Sequence, residues 1–137
     1  MIFFAVLISG YWFNFKALIF LPLIIIFEYM LALGIAFIVS AITVYFRDLE
    51  QIMGVVMMAW IYVTPIMYNM DYVPEQYRKL VVLNPMTPIV EVYHQILYYR
   101  IIPTTNYLLL AFIESIIVLI LGFVIFAKMD RNFAEEM

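Results

Sequence analysis

Apolar side chains run almost unbroken through four stretches of this chain. Residues 1–15 carry no charge, 17–46 carry only Glu28, 51–70 carry none, and 107–127 carry only Glu114. A helix needs about 20 apolar residues to cross the hydrocarbon core of a bilayer. Backbone groups in lipid must be bonded within the structure, which leaves helices or a closed barrel. These runs are too long and continuous for alternating barrel strands. The pattern therefore predicts one all-α membrane domain with spans near 1–14, 18–45, 51–69 and 107–127. That is about three full transmembrane helices plus a truncated N-terminal one. No basic residue precedes the first run, as a secretory signal would require. It reads as the tail of a span that begins upstream.

The pattern changes between Asp71 and Asn106. Pro74 can open a helix over 74–83, because its missing N–H is unpaired in a first turn anyway. Asn84-Pro85 ends it, since a residue before proline avoids the α region. Thr87 then reads as an N-cap and Pro88 as the first residue of a second helix, 88–100. Thirteen residues are too few to span. Glu91, His94, Gln95 and Tyr98 recur at i, i+3, i+4 and i+7 and share one helix face. Two placements fit this spacing. A re-entrant hairpin would turn its polar stripe to a water-filled cavity. An interfacial hairpin would lie flat on the headgroups, polar side outward.

Composition supports lipid as the solvent. The chain is 68% hydrophobic and 12% charged, against roughly half and a quarter in soluble domains. Net charge is −3, which provides no basic field for nucleic acid. Cysteine is absent, so disulfides, thiolate metal sites and cysteine nucleophiles are excluded. There is no Gly-x-x-x-x-Gly-Lys loop for ATP and no Gly-x-Ser-x-Gly elbow, and there is a single histidine. No enzymatic activity and no cofactor are expected. Glu91-x-x-His94 has the spacing of a di-iron motif, but such a site needs a second pair and further glutamates. A polar helix face is the simpler reading, with no metal.

Several residues inside the apolar runs stand out. A carboxylate at mid-bilayer costs about 2.5–3.5 kcal/mol on insertion scales, so Glu28 and Glu114 must face the bundle interior, water, or be protonated. An interhelical hydrogen bond is the structural reading; lining a transport path is the functional one. Ala32, Ala36 and Ser40, with Gly34 nearby, read as a close-packing face. Trp60, Tyr62 and Tyr68 fit a headgroup belt, or rings stacked on a ligand in a path. Pro65 after Thr64 should kink its span. Arg47-Asp48 reads as an interfacial anchor or as a gate or phosphate contact. If spans alternate, Arg47, Lys128 and Arg131 share one side and Lys16, Arg78, Lys79 and Arg100 the other, which does not fix orientation.

The order of motifs resembles the C-terminal half of ABC-2 type permeases, in the branch that exports polysaccharide, O-antigen and teichoic acid. The charged turn YFRDLEQI comes first, then WIYVTPIMY, then VPEQYRKLVVLNPMTPIVEVYHQILYY, then KMDRNFAEE. Thr64-Pro65-Ile66-x-Tyr68, followed by Leu83-Asn84-Pro85, is the specific part. The resemblance covers residue 17 to the end. It implies a six-span subunit of the bacterial plasma membrane with a cytoplasmic C-terminus, paired as a homodimer and bound to separate ATP-binding subunits. It implies a lipid-linked glycan as substrate and membrane lipid as surroundings, with no nucleic acid. The 47–50 turn would be cytoplasmic and the 74–83 and 88–100 helices re-entrant from outside. Trp60, Tyr62, Tyr68, Glu91 and His94 would lie along the translocation path. His94 stands where the family commonly has arginine. Without the family's earlier spans and coupling helix, the 137 residues would not transport by themselves. A drug-exporting relative, or a small membrane scaffold subunit without transport, are the alternatives.

Overall fold

The computed structural model describes residues 15–44, 46, 48–68 and 70–135, so the expected span at 1–14 and Arg47 lie outside it. All regular structure among the described residues is helical. A short turn of helix, α1 (Phe15–Leu18), leads into α2 (Leu21–Thr43); α3 is Leu49–Val63. A 3-10 turn at Met70–Tyr72 precedes α4 (Glu75–Val82) and α5 (Met86–Tyr93). α5 continues as a π-helical turn, His94–Tyr98, and the chain ends in α6 (Thr105–Glu135).

Among the described residues, α2 and α6 are the helices long and apolar enough to cross a membrane. They pack along their length and run in the same direction: Phe27 meets Phe112, and Phe37 meets Phe123 and Phe126. The seam on α2 is Ile24, Phe27, Leu31, Gly34 and Ala41, a spacing close to a heptad. Facing it, α6 buries Ala111, Ser115 and Gly122. At the centre the backbones touch. A Cβ on Gly34 would stand 2.6 Å from the Val118 carbonyl oxygen, and one on Gly122 would be 2.9 Å from the Gly34 carbonyl carbon. Ala32, Ala36 and Ser40, expected to pack, are exposed. The close approach uses glycine against glycine on the neighbouring face, where no side chain intervenes.

The run 51–69, expected to be one kinked helix, is helical only to Val63. Thr64 takes an extended conformation (φ −86°, ψ 132°). The ring of Pro65 disfavours the α region for the residue before it, and here the helix breaks instead of bending. At 15 residues α3 is short of a full span. The Tyr68 hydroxyl folds back and donates to the Val63 carbonyl at 3.2 Å, capping the broken end.

The hairpin also departs from its expected form. α5 starts at Met86 with Pro85 at the cap position, and the Asn84 side chain reaches the first turn: Asn84 Oδ1 accepts the Met86 N–H at 3.1 Å. Thr87, the expected cap, is buried, and its hydroxyl donates to the Val81 carbonyl at 2.6 Å. The expected α-helix over 88–100 turns π-helical at His94. Wider π turns shift the register, which splits the polar stripe. Glu91 and Gln95 are buried while Tyr98 is 76% exposed. Gln95 accepts the Ile101 N–H through its carbonyl and the Thr104 N–H through its side chain, closing the turn into α6. Arg100 takes a left-handed conformation there, φ 56°.

α5 is wedged between the first halves of α2 and α6. Ile89, Val92 and Ile96 form one core with Ile24, Phe27, Leu31 and Ala111. Met86, at the start of α5, shares a cavity with Leu31 and Ile35. Leu31 lies ten residues along α2, about 15 Å of helix, or half a bilayer core.

Candidate functional site

The break at Thr64-Pro65 and the cap at Asn84-Pro85 come together. The Asn84 side-chain N–H donates to Thr64 Oγ1 at 2.8 Å, and both Thr64 and Pro65 are fully buried. The two motifs singled out in the sequence are therefore one structural unit, level with the middle of α2.

Beyond this junction the chain opens into a cavity of about 470 Å³. One wall is Ile66, Met67, Tyr68 and Tyr72; the other is His94, Tyr98 and Tyr99. Tyr98 and Tyr99 meet edge to face at 5.1 Å. The cavity thus presents tyrosine rings, tyrosine hydroxyls and one imidazole. Such rings offer an apolar face and a polar rim at once, a surface suited to an amphipathic ligand.

Of the residues expected on a path, Tyr68 and His94 line this cavity. Glu91 lies behind it, buried, with Oε1 3.8 Å from His94 Nδ1. Tyr62 points away from the packed core and is 81% exposed. Trp60 lines two apolar grooves, one with Val56, Ala59, Val63, Asn84 and Pro85, the other with Leu31, Ile35, Met57, Ile61 and Met86 among its walls. Its level, beside Leu31 and Ile35, is the middle of α2 and not its end. Asp48 is exposed at the start of α3.

The two carboxylates within the long helices have different settings. Glu28 Oε2 accepts the Tyr93 hydroxyl at 2.6 Å, joining α2 to α5. Glu114 Oε2 and the Ser115 hydroxyl are buried without a hydrogen bond among the described residues. No cluster of metal-ligating side chains occurs among the described residues.

Spacing alone gave no hint of Tyr72 and Tyr99 in the cavity, of Tyr93 as the partner of Glu28, or of the Thr64–Asn84 bond. Adjacent Thr-Pro and Asn-Pro pairs were the available signal for the last: each carries a side chain able to bond where the following proline cannot.

Comparison with known proteins agrees with the architecture. An O-antigen export system permease protein, RfbA, of Klebsiella pneumoniae is 30% identical over 115 residues, 84% of this chain and 44% of the relative. The RfbA permease of Myxococcus xanthus is 26% identical over 129 residues, 93% of this chain and 49% of the relative. The chain thus spans about half the length of the curated relatives it matches. Residues 1–98 match the ABC-2 type transporter family, and with its helices, its Thr-Pro break and its hairpin the chain belongs to that family.

Proposed function

We propose that this chain is part of the membrane-spanning permease of an exporter that moves a lipid-linked polysaccharide, of O-antigen or teichoic-acid type, across the bacterial plasma membrane. The names of its relatives support the substrate class. ATP hydrolysis belongs to a separate ATP-binding subunit, since the sequence has no phosphate loop of its own. The C-terminal ends of α2 and α6 lie on the cytoplasmic side, with the hairpin entering from outside. α3 is packed lightly against the described chain, with Val55, Met58 and Tyr62 exposed. Its open face is where a second permease protomer fits, forming the translocation path between them.

The observation that carries this reading is the tyrosine-lined cavity at the end of α3. Sugar rings have apolar C–H faces and hydroxyl edges, which match tyrosine rings and hydroxyls. The hairpin is re-entrant on this reading, because α5 starts half a bilayer deep beside α2. Non-helical backbone such as residues 64–68 is tolerated at that depth where protein or a water-filled cavity adjoins it. Tyr68 and His94 contact the passing glycan, and Glu91 supports His94 from behind. Trp60 lines the groove between α2 and α3 beside this path.

The test is export by the assembled transporter at equal membrane abundance. Tyr98→Ala lowers polysaccharide at the cell surface about two- to twelvefold, the factor expected for a lost ring contact of ~0.5–1.5 kcal/mol. Tyr98→Phe, which keeps the ring, retains most of it. Equal export by both variants removes the cavity from the path.

A further inference from the structure

The two walls of the mouth cavity hang from neighbouring points. The first wall, Ile66, Met67, Tyr68 and Tyr72, follows on Thr64-Pro65. The second, His94 to Tyr99, is the far end of the helix that starts after Asn84-Pro85. Those starting points are joined by the Asn84–Thr64 hydrogen bond. Asn84 is held at both ends of its amide: the N–H donates to Thr64 and the oxygen accepts from Met86. Its orientation is thereby set. Thr64 is fully buried and shares a groove with Leu31, Ile35, Trp60 and Met86. In such apolar surroundings a lost partner is poorly replaced, so the bond is costly to open.

Beyond the Tyr68–Val63 hydrogen bond and the buried Met70, little else among the described residues holds the first wall. Met67 is 89% exposed and Tyr72 83% exposed. Met70 is the buried side chain of that turn among those described, and α4, which follows, buries no residue. The second wall, by contrast, is rooted in the core through Val92 and Ile96. One wall is fixed and the other is hinged beside it.

We infer that Thr64 and Asn84 are positioning residues, a clasp that holds the hinged wall of the cavity at a set distance from the fixed one. The consequence for transport rests on the exporter reading above; the clasp itself does not. It differs from a gate or a ligand contact, because neither residue lines the cavity it shapes.

These 137 residues contain no cysteine, so the introduced pairs are the thiols this segment contributes, and a membrane sample without them sets the background. Met67→Cys with Tyr98→Cys spans the cavity, and Phe37→Cys with Phe126→Cys spans the α2–α6 seam as a control. Both pairs are treated with a short bifunctional thiol reagent in native membranes of the assembled transporter. Thr64→Val or Asn84→Leu slows linking of the walls about fivefold, the factor that a net hydrogen bond represents, and leaves the control pair unchanged. Thr64→Ser, which keeps the hydroxyl, restores linking. Unchanged wall linking in both variants overturns the clasp. Equal loss of both pairs overturns it too, since the bond would then hold the bundle and not the walls. Linking needs no substrate, so export is scored separately, in cells that carry the Thr64 or Asn84 substitutions without the cysteine pairs. Export that falls with wall linking and returns in Thr64→Ser connects the clasp to the path. Export that persists while linking falls overturns the exporter reading of the cavity and leaves the clasp standing.

Discussion

The α2–α6 pair and α3 are made of similar material and are held in opposite ways. The pair is joined along its length, with Gly34 and Gly122 bringing the backbones together and Phe27, Phe37, Phe112 and Phe126 closing the seam on either side. α3 exposes large apolar side chains along its length, Ile52, Val55, Met58 and Tyr62 among them, and is tied near its end through Thr64 to Asn84. Apolar composition does not distinguish these helices. In lipid there is no hydrophobic gain from bringing one apolar helix against another, so shape and hydrogen bonds decide what packs. Glycine facing glycine makes the pair. A buried polar bond beside a proline break makes the attachment of α3.

The sharpest way to break this contrast is to fill the seam. Gly122→Ala places a methyl against the Gly34 backbone, with the carbonyl carbon at 2.9 Å and Cα at 3.0 Å. Neither atom can turn aside as a side chain would. The helices must separate, at a cost of about 3 kcal/mol, the upper range for overpacking. Thermal unfolding in mild detergent should show the largest fall in midpoint of the substitutions considered, with reduced membrane abundance. An unchanged midpoint would mean that the two backbones do not meet.

Next in size is the tie between the pair and the hairpin. Tyr93→Phe removes the donor to Glu28 Oε2 while keeping the ring. A buried acceptor left without its partner costs about 1–2 kcal/mol. Adding Glu28→Leu should recover part of the loss, because both polar groups are then gone; the coupling shows in a double-mutant cycle by thermal unfolding. Additive effects would show that Tyr93 and Glu28 act independently.

The sequence revealed these features unevenly. Helices near 18–45 and 107–127 were legible because long apolar runs need only length and hydropathy. The end of α3 was not, because the run stays apolar past Pro65 and composition hides the stop. A proline inside a span allows a kink or a break, and which one follows depends on whether the next segment has somewhere to go. Here Asn84, 20 residues away, supplies the partner. Ala32, Ala36 and Ser40 misled for a related reason. Small residues on one helix mark a possible approach, but the facing helix decides which side is used, and Ala111, Ser115 and Gly122 on α6 were not singled out in the sequence. The polar stripe on α5 failed through its backbone. Spacing at i, i+3, i+4 and i+7 assumes an α-helix, and the π turn at His94 breaks that register. Tyr98 turns outward as a result, while Glu91 and Gln95 stay together on the buried side. The cavity lining joins Ile66, Met67, Tyr68 and Tyr72 with His94, Tyr98 and Tyr99, which no local pattern relates.

The smallest effect is the most direct measure of how open α3 is. Gly54 lies inside α3, and a Cβ built there meets nothing within 4 Å. Glycine within a helix is less stable than alanine by roughly 0.5–1 kcal/mol, because it loses more backbone freedom on folding. Gly54→Ala should therefore raise the unfolding midpoint slightly in detergent, the opposite sign from the same substitution at Gly122. The sign is the informative part. A methyl at Gly54 can be unfavourable only if something approaches that face closely, and the described chain brings nothing there. A gain for the isolated chain that becomes a loss in the assembled transporter would place a partner helix against Gly54. A gain in both states would keep that face toward lipid and put any second protomer on another side of α3.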